Sequence, residues 1–158
     1  MAVAPPSLEL SYVEIGDLPL YTPDFEGDPP APVRAFREKI AQSDALLFVT
    51  PEYNRSVPGG LKNAIDVGSR PYGKSVWTGK PAAVVSVSPG AIGGFGANHH
   101  LRQSLVFLEM PCLPQEAYIG HANKLFDDKG DLTNADTRAF FTKIMQAFGA
   151  WIEANAGK

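Results

Sequence analysis

Cysteine is nearly absent: Cys112 stands alone among 158 residues. A single thiol excludes a disulfide framework and fits a reducing compartment. Lying between Pro111 and Pro114 in an apolar stretch, it reads as core packing rather than as a reactive group. Positive charge is also scarce, with 14 Lys and Arg against 17 Asp and Glu for a formal net charge of −3. Without a basic cluster the chain lacks the electrostatic footprint of a nucleic-acid binder. No apolar run approaches the roughly 20 residues that span a bilayer, so no membrane association is expected. The amino terminus has no basic segment followed by an apolar one, so no signal peptide is expected and the protein reads as cytoplasmic. Histidine offers little to a metal. His99 and His100 are adjacent, which on a helix turns them about 100° apart, and His121 is distant in sequence. No metal site is expected.

What the chain does have is a regular alternation of patterns. The length fits one domain over residues 1–158. Ala45–Thr50 and Ala82–Ser88 are continuous apolar runs, the signature of strands buried on both faces of a parallel sheet. Leu8–Glu14 alternates apolar and polar residues and predicts a half-exposed edge strand. Residues 16–32 are rich in Pro, Gly and Asp and predict a surface loop. Val33, Phe36 and Ile40 mark one face of a helix that ends near Ser43 and Asp44. A second helix opens with Pro58 in its first turn and Ser56 as its cap, and turns Leu61, Ala64, Ile65 and Gly68 inward. A third carries Leu101, Leu105 and Leu108, a short strand falls around Leu113–Tyr118, and a last helix presents Phe141, Ile144, Met145, Phe148, Trp151 and Ile152. Strands alternating with helices imply a parallel sheet covered on both faces.

Open α/β sheets bind ligands at the carboxyl ends of their strands. The first buried run delivers Pro51-Glu52-Tyr53-Asn54 there, a rigid turn with an aromatic surface and amide groups. The second delivers Ser88-Pro89-Gly90-Ala91-Ile92-Gly93-Gly94, whose glycines permit positive φ and close backbone approach. Gly59 and Gly60, at a helix start, also suggest close approach. A dinucleotide fingerprint does not fit: Gly94-Phe95-Gly96 opens one, but His99 stands where the closing glycine belongs, although Glu116 has the spacing of a ribose-binding acid. Arg102 reads equally as an interface residue or a solvated charge, and Asp66 as the partner of a nearby cation.

The stretch Thr50-Pro51-Glu52-Tyr53-Asn54, continuing through Val57-Pro58-Gly59-Gly60-Leu61-Lys62-Asn63-Ala64-Ile65-Asp66, closely resembles the NADPH-dependent FMN reductases. These are flavodoxin-like proteins related to chromate, quinone and azo reductases. The resemblance implies a flavodoxin-like three-layer α/β sandwich with a parallel sheet, and FMN as cofactor. Its cofactor-binding residues would be Pro51, Glu52, Tyr53, Asn54, Ser88, Pro89, Gly90, Gly93 and Gly94. It also implies NADPH or NADH as co-substrate, a small acceptor (a quinone, azo compound, metal oxyanion or free flavin), and a homodimer or homotetramer. The flavin would carry the chemistry, so no catalytic residue in the strict sense is expected.

One family element has no counterpart: the Gly-Ser-x-Arg-x-x-Ser-x-Asn turn that holds the FMN phosphate, with the strand before it and most of the helix after it. Met1–Pro6 reads as the last turn of that helix. The expectation is an amino-terminally truncated domain: either the start lies upstream, or the shorter chain folds with a partner or a rearranged edge. The alternative functions are a flavin-free subunit that associates with a complete homologue, and a flavodoxin-type electron carrier. The carrier is disfavoured by a net charge of only −3.

Overall fold

The computed structural model describes residues 3–157. Three parallel strands, β1 (Leu46–Pro51), β2 (Ala82–Val87) and β3 (Ala117–Ile119), lie in the order β1-β2-β3. Leu46 is in register with Ala82, and Val85 with Ala117. Successive side chains on a strand point to opposite faces, and the core divides accordingly. On one face Leu46, Phe48, Ala82 and Val84 pack with α1 (Ala31–Ala41), α2 (Gly59–Ser69) and α3 (Phe95–Phe107). On the other, Val85, Ala117 and Ile119 meet Ile144, and Ala83 and Leu113 meet Met145 and Phe148, all three from α4 (Ala135–Asn155). This is the flavodoxin-like three-layer arrangement, and the helical stripes expected from the sequence face inward, with Val33, Phe36, Ile40, Leu101, Leu105 and Phe148 all buried.

The structure departs from expectation at the amino-terminal side. Leu8–Glu14 is not a strand but irregular chain. A strand exists only through its ladder, and no described strand precedes β1 to supply one. The segment is held instead by side chains: Leu8 and Leu10 join the α4 cluster, Val13 and Ile15 the opposite one, and Lys39 Nζ donates to the Tyr12 carbonyl. The open edge of β1 leaves Val49 62% exposed. Of the expected helix end at residues 1–6, Met1 and Ala2 lie outside the described residues. From Val3 onward the chain makes turns, with Leu8 N–H bonded to the Pro5 carbonyl at 3.0 Å.

Two smaller differences have local causes. The expected strand at 113–118 is broken. Cys112 bridges to Ala82, and Leu113 N–H reaches the Ala82 carbonyl at 2.7 Å, but Pro114 has no N–H to continue the ladder. The Leu113 and Gln115 carbonyls instead accept the Arg102 guanidinium at 2.8 and 2.9 Å. Helix α2 begins one residue later than expected, with Pro58 itself at the cap position and no side-chain cap. Ser56 does not cap it; its hydroxyl lies 3.0 Å from His100 Nδ1 on α3.

Candidate flavin site

Pro51 and Val87, the last residues of β1 and β2, are register partners, so the two loops leave the sheet side by side. The first loop is a tight turn. Tyr53 and Ser56 exchange two backbone hydrogen bonds of 2.9 Å, and the central pair, Asn54 at φ 50° and Arg55 at φ 65°, is left-handed. Two positive φ values in sequence define a type I′ turn, which asparagine tolerates and arginine does not favour. The turn lifts Tyr53, 61% exposed, and Asn54 into the open. The Asn54 amide and its backbone N–H make no hydrogen bond among the described residues, so donors and an acceptor remain for a ligand edge.

Glu52 behaves differently from its neighbours. Its side chain is 12% exposed, and its Oε2 accepts the Ala97 N–H at 3.1 Å, in the first turn of α3. Its Oε1 lies 3.6 Å from Arg55 Nη1. Beneath them Gly96 packs so closely that a Cβ there would lie 2.6 Å from the Arg55 carbonyl oxygen.

The second loop has an exposed crest of Pro89, Gly90, Ala91 and Ile92, and a buried base of Gly93 and Gly94. The base packs closely on the sheet. At φ +60°, Gly93 would bring a Cβ within 2.7 Å of Ile119 N, and Gly94, at φ +77°, within 3.0 Å of Ser86 Cβ. Ser88 is likewise engaged, donating its N–H to the Ile119 carbonyl at 2.9 Å and accepting the Gly90 N–H on its hydroxyl at 3.0 Å. The N–H groups of Ala91 and Ile92 have no partner among the described residues.

Of the nine residues expected to touch the flavin, Pro51, Tyr53, Asn54, Pro89 and Gly90 are exposed on the two crests. The side chain of Glu52 and the backbone of Gly93 and Gly94 support them from below, and Ser88 ties the second loop to β3. Gly59 and Gly60 have nothing within 4 Å of a built Cβ, so the close approach expected there does not occur within the chain. Ala91 and Ile92, in the same loop but outside the expected set, are exposed on the crest as well, Ile92 at 53%.

Beside this crest stands a second group that no local pattern revealed. Tyr118 Oη lies 2.9 Å from His99 Nε2 and donates to the Glu116 carboxylate, while the Phe95 ring sits 4.2 Å from that of His99. The Tyr118 phenol is pushed up to about 12, chiefly by burial and then by its bond to Glu116. Phe95 and His99 are four apart on α3, but Tyr118 is 19 residues from His99 and meets it only through β3. Among the described residues no group of three His, Cys, Asp or Glu side chains could hold a metal. Partial burial raises the Cys112 pKa, which opposes a nucleophilic role. No described helix is long and apolar enough to cross a membrane.

A parallel sheet covered by helices on both faces, with two loops side by side at its carboxyl edge, defines the class: an α/β protein of flavodoxin-like fold. Residues 2–124 match the NADPH-dependent FMN reductase family, and the chain belongs to it. It is 65% identical over 155 residues to a quinone reductase of Pseudomonas putida, covering 97% of this chain and 83% of that one. It is 45% identical over 152 residues to a 2-hydroxy-1,4-benzoquinone reductase of a Burkholderia species, covering 96% and 83%. Among solved structures, the flavoenzyme NAD(P)H:(acceptor) oxidoreductase FerB of Paracoccus denitrificans superposes with a TM-score of 0.90 at 41% identity, covering 98% of this chain and 86% of that one.

Proposed function

We propose that this oxidoreductase holds the FMN ring against Pro51, Tyr53 and Asn54 on one side and the Pro89–Ile92 crest on the other, and reduces a quinone with NADPH or NADH. The observation that carries this reading is the set of unpartnered groups on two adjacent crests. The Asn54 amide and the Ala91 and Ile92 N–H groups suit the polar edge of a flat ring, and Tyr53 and Pro51 suit its apolar surface. When bound, the flavin supplies the hydride-accepting centre. The chain's own contribution is placement: near-attack distances of about 3–3.5 Å favour a shallow, open shelf on which a planar donor and then a planar acceptor can stack. A quinone is favoured over an azo compound, a metal oxyanion or free flavin because the relatives with 65% and 45% identity carry quinone in their names.

A homodimer or homotetramer in the cytoplasm completes the proposal. Val106 and Phe107, exposed on α3, offer an apolar surface for a second copy. The second reading is a flavin-free subunit that associates with a complete homologue.

Titration of FMN with the purified chain, followed by flavin fluorescence, separates the two. Saturable stoichiometric quenching, with NAD(P)H oxidation dependent on benzoquinone, supports the reductase. No quenching by a chain with a folded circular-dichroism spectrum favours the subunit.

A further inference from the structure

Helix α3 has no cap of its own. Its N-cap residue is Gly94, which has no side chain to accept the free N–H groups of the first turn. The acceptor comes instead from the other loop, through Glu52 Oε2 at 3.1 Å from the Ala97 N–H. A carboxylate rarely lies as deep as 12% exposure without a defined partner. Here the partner is the positive end of a helix, where a negative charge is favoured. Gly96 makes the approach possible, because any side chain there would meet the Arg55 carbonyl and the Glu52 carboxylate. The head of α3 is continuous with the second loop. This bond ties the first loop to the head of α3, ahead of the Ser56–His100 contact a turn further along the helix.

We propose that Glu52 is a positioning residue. By capping α3 from the β1 turn, it sets the distance between Tyr53–Asn54 and Ala91–Ile92, and hence the width of the flavin shelf. Its side chain acts through Ala97, not on the ring. The inference rests on the FMN reading for its functional consequence, but the bond itself can be tested without flavin.

Two variants separate the roles of hydrogen bond and bulk. Glu52→Gln retains an oxygen that accepts from Ala97, whereas Glu52→Ala retains nothing. Hydrogen exchange at the Ala97 amide is expected to accelerate about tenfold or more in E52A and to stay within about threefold of the parent in E52Q. For FMN, E52A is expected to raise Kd about tenfold and return the visible flavin band toward that of free FMN, with E52Q restoring both. Parent-like exchange at Ala97 in E52A, or loss in E52Q as deep as in E52A, overturns the proposal. If the parent chain binds no FMN, the reductase reading fails while the exchange experiment still decides the role of Glu52. Should E52A not fold, E52Q decides alone: parent-like Ala97 exchange and Kd support the strut, and a tenfold loss overturns it.

Discussion

Gly68 lies against the indole of Trp77 so closely that a Cβ on it would sit 2.4 Å from Cε2. Trp77 is 2% exposed, donates Nε1–H to the Ile65 carbonyl at 2.9 Å, and packs against Phe36 and Phe48 at 5.9 Å each. The indole therefore cannot retreat without breaking the core beneath α1 and α2. Gly68→Ala is expected to destabilise the fold by about 1–3 kcal/mol through overpacking. Gly149→Ala, where the built Cβ meets only ordinary contacts at 3.8 and 3.9 Å, should stabilise α4 by about 0.5–1 kcal/mol. Urea unfolding midpoints of the two variants check the contrast.

Arg102 is not the solvated charge that one reading of its sequence allowed, because its guanidinium is engaged within the chain. Its Nε donates to Asn98 Oδ1 at 2.9 Å, and its two terminal nitrogens hold the Leu113 and Gln115 carbonyls. Arg102→Met is expected to cost about 2–3 kcal/mol by leaving three acceptors unpaired. Arg102→Lys should recover only part, since one ammonium cannot span the fork. Thermal melts of both variants test the order.

At the turn, conformation and ligand binding can be separated. Asn54→Gly keeps the left-handed φ but removes the amide, so stability should hold while FMN affinity falls. Asn54→Leu should lose both; unchanged flavin affinity in either variant would refute the role given to the amide. Arg55→Gly relieves a left-handed arginine and should raise stability by about 0.5 kcal/mol, whereas Arg55→Val should lower it by more than about 1 kcal/mol. Paired melts and fluorescence titrations measure both quantities.

Tyr118 predicts a loss of stability in alkali. Its ordinary value of 10.0 is raised to about 12 in the fold, so the folded state favours the protonated phenol. That contribution is fully present below pH 10 and is lost as pH rises from 10 through about 12. Tyr118→Phe should flatten the decline of the urea midpoint across that window, and an unchanged slope would argue against the shift.

The parts of the fold legible in sequence are those set by near neighbours. Phe48 and Val84 sit in apolar runs because their strands are covered on both faces, and Val33, Phe36 and Ile40 repeat because one face of α1 is buried. The tight turn at Asn54 and the glycine-rich crest were legible as punctuation and as a resemblance. The direction of each side chain was not. Glu52 and Asn54 are two residues apart in one motif, yet one caps a helix 45 residues away while the other faces outward.

By itself the sequence determined the order of elements, the faces they bury and the two loops at the carboxyl edge, because periodicity and turn chemistry act over a few residues. The tertiary structure alone decided which contacts those loops make across the chain. Leu8–Glu14 is no strand because pairing needs a second chain segment at hydrogen-bonding distance. Gly93 and Gly94 serve packing because β3 and Ser86 happen to lie beneath them. Arg102 became a clamp because Pro114 interrupts a ladder on another element. Each outcome depends on residues that meet only after folding, and a linear pattern carries no distance between them.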